Sequence, residues 1–151
     1  MARKFPLQTL LDLAQSQTDN AAKNLRTLKL RWNEAEEKLK QLLAYRDSYR
    51  ERMLESASGG ISAMALRDFR LFMVKLDAAI KLQQDEVARC QSKWEAGQQE
   101  WLQQRGKVKV YDVLSERHRH AEEKREGRIE QKEQDEFVSN RQTDGRRPGE
   151  D

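Results

Sequence analysis

From Leu7, steps of four and three residues in turn reach Leu7, Leu11, Ala14, Thr18, Ala21, Leu25, Leu28, Trp32, Ala35, Leu39, Leu42, Arg46, Tyr49 and Met53. Only Thr18 and Arg46 are neither apolar nor aromatic. A spacing that averages 3.5 residues over this length is a heptad seam, and it implies a left-handed supercoil. The seam ends at Ser56-Ala57-Ser58-Gly59-Gly60, where paired glycines among serines signal a turn and Ser58 or Ser62 can cap the next helix. A second seam runs through Leu66, Phe69, Met73, Leu76, Ile80, Gln83, Val87, Cys90, Trp94, Gly97, Trp101, Gln104, Val108 and Tyr111.

Folding the chain at Gly59 brings both seams to an end at the same level, because Leu7 then faces Tyr111. Facing residue numbers sum to about 118, which sets Trp101 opposite Thr18, Gly97 opposite Ala21 and Trp32 near Val87. Large residues opposite small ones let facing layers fill space. The fold class is all-α, a long antiparallel two-helix coiled coil with a C-terminal helical overhang. Its expected organisation is one coiled-coil domain over 1–140, with helix 1 about 7–55, the turn 56–62 and helix 2 about 63–138. Residues 141–151, with Gly145, Arg146, Arg147, Pro148 and Gly149, read as a disordered tail.

Composition agrees with thin helices. Charged residues make up 36% of the 151, and apolar residues no more than that, which is too few for a thick core but enough for one stripe per helix. The net charge of +3 is a small imbalance between 29 basic and 26 acidic side chains. Residues 1–111 hold 20 basic and 14 acidic groups, and residues 112–151 hold 9 and 12. Along the chain the signs are interspersed, as on a solvated helix, and no single-sign patch points to nucleic acid. Beyond Tyr111 the second helix has no partner from the first, and residues 115–136 are almost wholly polar. A lone cysteine, Cys90, forms no intrachain disulfide. No stretch has transmembrane length and no signal peptide is evident, so the expected compartment is the cytoplasm.

The residues offer little chemistry. Gly59-Gly60 lacks the strand before it and the Gly-Lys-Ser/Thr after it that a phosphate loop needs. His118 and His120, two apart, point to different helix faces and make a poor metal pair. Cys90 on the seam reads as a small hydrophobe. A chain of this kind is expected to bind partners and not to catalyse, with no cofactor, metal or small-molecule ligand, and to be a monomer alone.

Some apolar residues lie off the seams. Leu43, Ala44 and Tyr45 on helix 1 sit level with Leu71, Phe72, Val74, Ala78 and Ala79 on helix 2. Leu42, Tyr45 and Tyr49, with Phe72, Leu76 and Ala79, would form one ridge beside the turn. Two readings stand: a locally thick seam, or a docking patch on an otherwise solvated rod.

These residues also carry a resemblance. Ala35-Glu36-Glu37-Lys38-Leu39-Lys40 followed by Leu42, Tyr45 and Tyr49 is similar to helix 1 of the FliJ family. Phe72, Leu76, Ala79 and Ile80 resemble its second helix, after a Gly-containing turn in the same place. Arg128, Gln131, Lys132, Asp135, Glu136 and Phe137 resemble its C-terminal signature, with Gln134 where the family often has an apolar residue. The resemblance spans Leu10 to Phe137. It implies a stalk and general chaperone of the bacterial flagellar type III export apparatus, peripheral to the inner membrane at the flagellar base. The implied partners are the flagellar export ATPase hexamer, the large membrane component of the export gate, and export chaperones. Leu42, Tyr45, Tyr49, Phe72, Leu76 and Ala79 match the family's gate-docking face. Gln83, one turn further, is not carried over. Arg128, Gln131, Lys132, Asp135, Glu136 and Phe137 are the residues implied at the ATPase ring. The alternative is a structural coiled-coil adapter without an export role.

Overall fold

A computed structural model describes residues 3–145. Among them the chain is all-α, with α1 spanning Gln8–Ser58 and α2 spanning Ala63–Asp144. Pro6 precedes the first helical turn, where its missing N–H costs nothing. Four residues connect the helices. Gly60 takes φ +91°, the left-handed conformation that closes a helix, and its N–H donates to the Ala57 carbonyl at 3.1 Å. Ser62 caps α2, its Oγ accepting the Ala65 N–H at 3.1 Å. Ser58 ends α1 instead, donating its hydroxyl to the Glu55 carbonyl at 2.7 Å. The helix thus runs three residues past its expected end at 55.

The chain divides into two units, residues 18–103 and residues 1–17 with 104–151. The first contains the turn. In it α1 and α2 pair antiparallel, and every seam position is buried or half-buried. Its core is Met73, Leu76 and Ile80, packed by Leu39, Leu42, Leu43, Tyr49, Phe69 and Phe72, with Ala35 buried further along α1. Arg46, polar on the seam, reaches Asp77 across the interface at 3.4 Å. Gln83, another polar seam residue here, donates Nε2–H to the Ala35 carbonyl at 2.9 Å.

The expected register holds beside the turn, where Tyr49 stacks on Phe69 and Gln83 meets the Ala35 carbonyl, and it shifts further along the pair. There Trp32 packs on Trp94, with centroids 5.4 Å apart, where Val87 is the expected neighbour. Gly97 lies against Leu25 and Leu28, and not opposite Ala21. Trp32 with Trp94 and Leu28 with Gly97 sum to 126 and 125, against 118 for Tyr49 with Phe69. Side-chain direction contributes to the shift. Each Cα–Cβ bond leans toward its own helix N-terminus, and in an antiparallel pair this tilt raises the sum from both sides. Gly97 is the point of closest approach: a Cβ there would stand 2.7 Å from Leu28 Cδ1.

In the second unit, Leu11 and Ala14 of α1 are buried, and Leu7, Gln104, Val108 and Tyr111 are half-buried. The half-buried stripe on α2 runs past Tyr111 through Leu114, Ser115, His118 and Glu122. No partner from the first helix is expected beyond Tyr111, and the half-burial there points to a partner outside that helix. The segment before α1 supplies one: the Phe5 ring lies 5.7 Å from His118, whose Nε2–H donates to the Arg3 carbonyl at 2.8 Å. The Arg3 N–H donates to Glu122 Oε2 at 3.4 Å. From Gly127 to Gly145 every residue is exposed. The helix reaches Asp144, six residues beyond the expected 138, and Thr143 returns its hydroxyl to the Ser139 and Asn140 carbonyls. The expected disordered tail is therefore helical over 141–144. Its Arg146, Arg147, Pro148 and Gly149 lie outside the described residues.

Candidate functional site: an aromatic cluster by the turn and an exposed helix end

The ridge residues of the turn-bearing unit do come together, but not as one outward face. Tyr49 stacks on Phe69 with centroids 5.3 Å apart and meets Phe72 at 4.6 Å. Tyr45 lies 6.3 Å from Tyr49 and edge-on to Phe72 at 6.1 Å. Four rings from both helices thus form one cluster on the Met73–Leu76–Ile80 core. Both readings of the ridge hold for different members. Leu76 is 6% exposed and belongs to the core, whereas Tyr45 is 49% exposed. Leu42, Tyr49, Phe72 and Ala79 are half-buried and present only their edges. Tyr45 is the member with a broad free surface.

Beside Tyr45 is a shallow hollow lined by Lys38, Gln41, Leu42 and Gln83. Lys38 and Gln41 precede Tyr45 by seven and four residues, so helical periodicity could have placed them on this face. Gln83 completes the floor from α2. A second hollow lies between Met53, Leu54, Phe69 and Met73, rimmed by Arg50 and Asp77. Leu71 and Val74, off the seam, are exposed on α2.

On the other unit, Arg128, Gln131, Lys132, Asp135, Glu136 and Phe137 are all exposed on the last third of α2. Phe137 is 62% exposed, and the Arg141 guanidinium sits 5.3 Å from its ring, one turn on. An exposed aromatic this far along a solvated helix has no packing role within the described chain.

Cys90 is half-buried on the seam, and its thiol donates to Glu86 Oε1 at 3.6 Å. Burial first, then the Glu86 hydrogen bond and charge, push the thiol above its ordinary pKa, opposite to the shift an attacking thiolate needs. Among the described residues no group of three His, Cys, Asp or Glu is placed to hold a metal ion. No helix there is long and apolar enough to cross a membrane.

Fold and surface together define an all-α protein of paired helices, with an aromatic cluster beside its turn and a free charged helix end. Residues 3–147 match the family described as Flagellar FliJ protein, and the chain belongs to that family. It is similar to the Flagellar FliJ protein of Salmonella typhi, 28% identical over 138 residues that cover 91% of this chain and 94% of the relative. The Flagellar FliJ protein of Escherichia coli K12 is 29% identical over the same shares.

Proposed function

We propose that this chain is a non-catalytic stalk and adapter of flagellar protein export. The unit with the chain's beginning and the late part of α2 engages the export ATPase hexamer. The turn-bearing unit engages the large membrane component of the export gate. The chain also receives export chaperones and works at the inner membrane face without crossing it. The observation that carries the reading is the family match over residues 3–147. The distribution of exposed features supports it, because the ring cluster and the free helix end lie in different units.

At the gate, Tyr45 supplies the apolar contact, with the edges of Leu42, Tyr49, Phe72 and Ala79 around it. A half-exposed tyrosine held by two other rings is already ordered, so docking sacrifices little side-chain entropy. Leu76 acts from below, supporting Phe72 and Tyr49 through the core. At the ring, Arg128, Gln131, Lys132, Asp135, Glu136 and Phe137 make exposed contacts. Exposed ion pairs are individually weak, which suits a stalk that must move within or leave its ring.

The test is binding of the purified full-length chain to the purified ATPase hexamer and to the cytoplasmic part of the gate component. Tyr45→Asp is expected to abolish gate binding and leave ATPase binding and far-ultraviolet circular dichroism intact. Gate binding that survives Tyr45→Asp would refute the assignment of this face.

A further inference from the structure

Along the chain, acidic and basic residues alternate between residues 106 and 132, but around the helix they separate. At 100° per residue, Lys109, Arg117, Lys124, Arg128 and Lys132 fall within one stripe roughly 140° wide. Val110, Val113, Ala121 and Gln131 share the stripe. The acids of the same stretch, Asp112, Glu116, Glu122, Glu123, Glu126 and Glu130, all fall outside it. The stripe faces away from the half-buried side that carries Val108, Tyr111, His118 and Glu122. Two shallow hollows lie on it, one lined by Lys109, Val110, Val113, Leu114 and Arg117, the other by Lys124, Gly127, Arg128, Gln131 and Lys132. Neither has an acidic wall.

Two cations off the stripe are paired, unlike those on it. Off the stripe, Arg119 is bonded to Glu116 at 2.8 Å and Arg125 to Glu122 at 3.1 Å. None of the five stripe cations forms an ion pair with a described residue. Lys124, Arg128 and Lys132 also stand at i, i+4 and i+8, a like-charge ladder that weakens a helix. Every residue of the ladder is exposed, so the fold gains nothing from this arrangement. A complementary anionic partner would explain it.

We infer that this stripe is the ring-facing surface of the stalk, and that it is recognised by acidic side chains lining the inner surface of the ATPase hexamer. The inference rests on the ring assignment proposed above and extends it from Arg128, Gln131 and Lys132 to Lys109, Arg117 and Lys124. A protein ridge fits better than a sheet of phosphates. Acids line one edge of the stripe, Glu116 and Glu123 with Asp112 and Glu130 behind them. They repel a broad anionic surface and admit a narrow one. Val110 and Val113 add an apolar contact at one end of the stripe, which a protein side chain can meet.

The test compares two full-length triple variants of equal charge change for binding to the purified ATPase hexamer at low and moderate salt. One is Arg117→Gln, Lys124→Gln and Arg128→Gln. The other is Lys40→Gln, Arg52→Gln and Arg67→Gln, exposed cations of the turn-bearing unit. The stripe variant is expected to bind on the order of 10- to 100-fold more weakly, with a flatter salt dependence. It keeps its helicity, because glutamine is a good helix former and the ladder's repulsion is gone. The off-stripe variant is expected to bind within about 3-fold of the parent. Equal losses in both would mean that net charge alone acts, and would overturn the inference. So would parent-like binding by the stripe variant, which leaves the ring assignment standing. If the parent chain does not bind the hexamer, the ring assignment falls and the inference with it. Stripe residues needed only for duplex DNA or for vesicles containing phosphatidylglycerol would also overturn it.

Discussion

Leu76 and Tyr45 belong to the same ridge in the sequence, yet their truncation should have opposite signatures. Leu76 is 6% exposed, between Met73 and Ile80, under a shell that includes Leu42, Tyr49 and Phe72. Leu→Ala in a core costs about 2–5 kcal/mol. A two-helix interface lies one layer from solvent and collapses easily around a void, so the low end applies, about 2–3 kcal/mol. With a urea slope of about 1–3 kcal/mol per molar, the midpoint of unfolding should fall by roughly 1 M or more. Tyr45 is half exposed and loses two ring contacts, with Phe72 and Tyr49, both beyond 6 Å and together worth about 0.5–1.5 kcal/mol at so solvated a site. Urea titration followed by circular dichroism at the helix band measures both. Gate binding, measured below the unfolding transition, should be lost in Tyr45→Ala and largely kept in Leu76→Ala. The reasoning is refuted if Leu76→Ala costs less than Tyr45→Ala, or if Leu76→Ala abolishes gate binding while remaining folded.

The seam supports further expectations. Gly97→Val should destabilise by about 1–3 kcal/mol through overpacking on Leu28, while Gly97→Ala should be nearly neutral, since a helix gains from alanine what the leucine tip must yield. Thermal melts distinguish the two. Gln83→Leu should hold or raise stability by up to about 1 kcal/mol, because the Ala35 carbonyl keeps its helical partner and apolar area on the seam grows. A lowered midpoint would show that the cross-helix bond matters more than burial. For Cys90, a raised pKa means less thiolate at pH 8, so alkylation should be slower in the folded chain than in denaturant. Glu86→Gln removes a charge that raises the pKa and should speed alkylation of the folded chain.

The heptad spacing alone located the core. Each position from Leu7 to Met53 and from Leu66 to Tyr111 on the two seams is buried or half-buried. This includes the polar Thr18, Arg46, Gln83 and Gln104, because period dictates direction whatever the side chain. Register was legible beside the turn, where Tyr49 meets Phe69, and not further along, where Trp32 meets Trp94. It depends on where Gly60 turns and on the tilt of every Cβ, and neither changes the period. Phe5 lies in no helix, so no periodicity announced its contact with His118. Within the ridge, spacing put Leu76 and Tyr45 on neighbouring rows, but only the packing of four rings decided which one faces water. The charge stripe of α2 was hidden for a different reason. Acids and bases alternate in order along the chain, and they separate only when each residue is given its angle around the axis.

The central claim is that one chain joins two machines through two separate surfaces. The most direct measurement immobilises the cytoplasmic part of the gate component and asks how much ATPase hexamer is retained with and without this chain. The account predicts retention only when the chain is present. Tyr45→Asp should lose it by releasing the chain from the gate. Arg117→Gln with Lys124→Gln and Arg128→Gln should lose it by releasing the ATPase from a chain still bound. If the ATPase and the gate component displace each other from the chain, or if one substitution abolishes both contacts in a folded protein, the claim is contradicted.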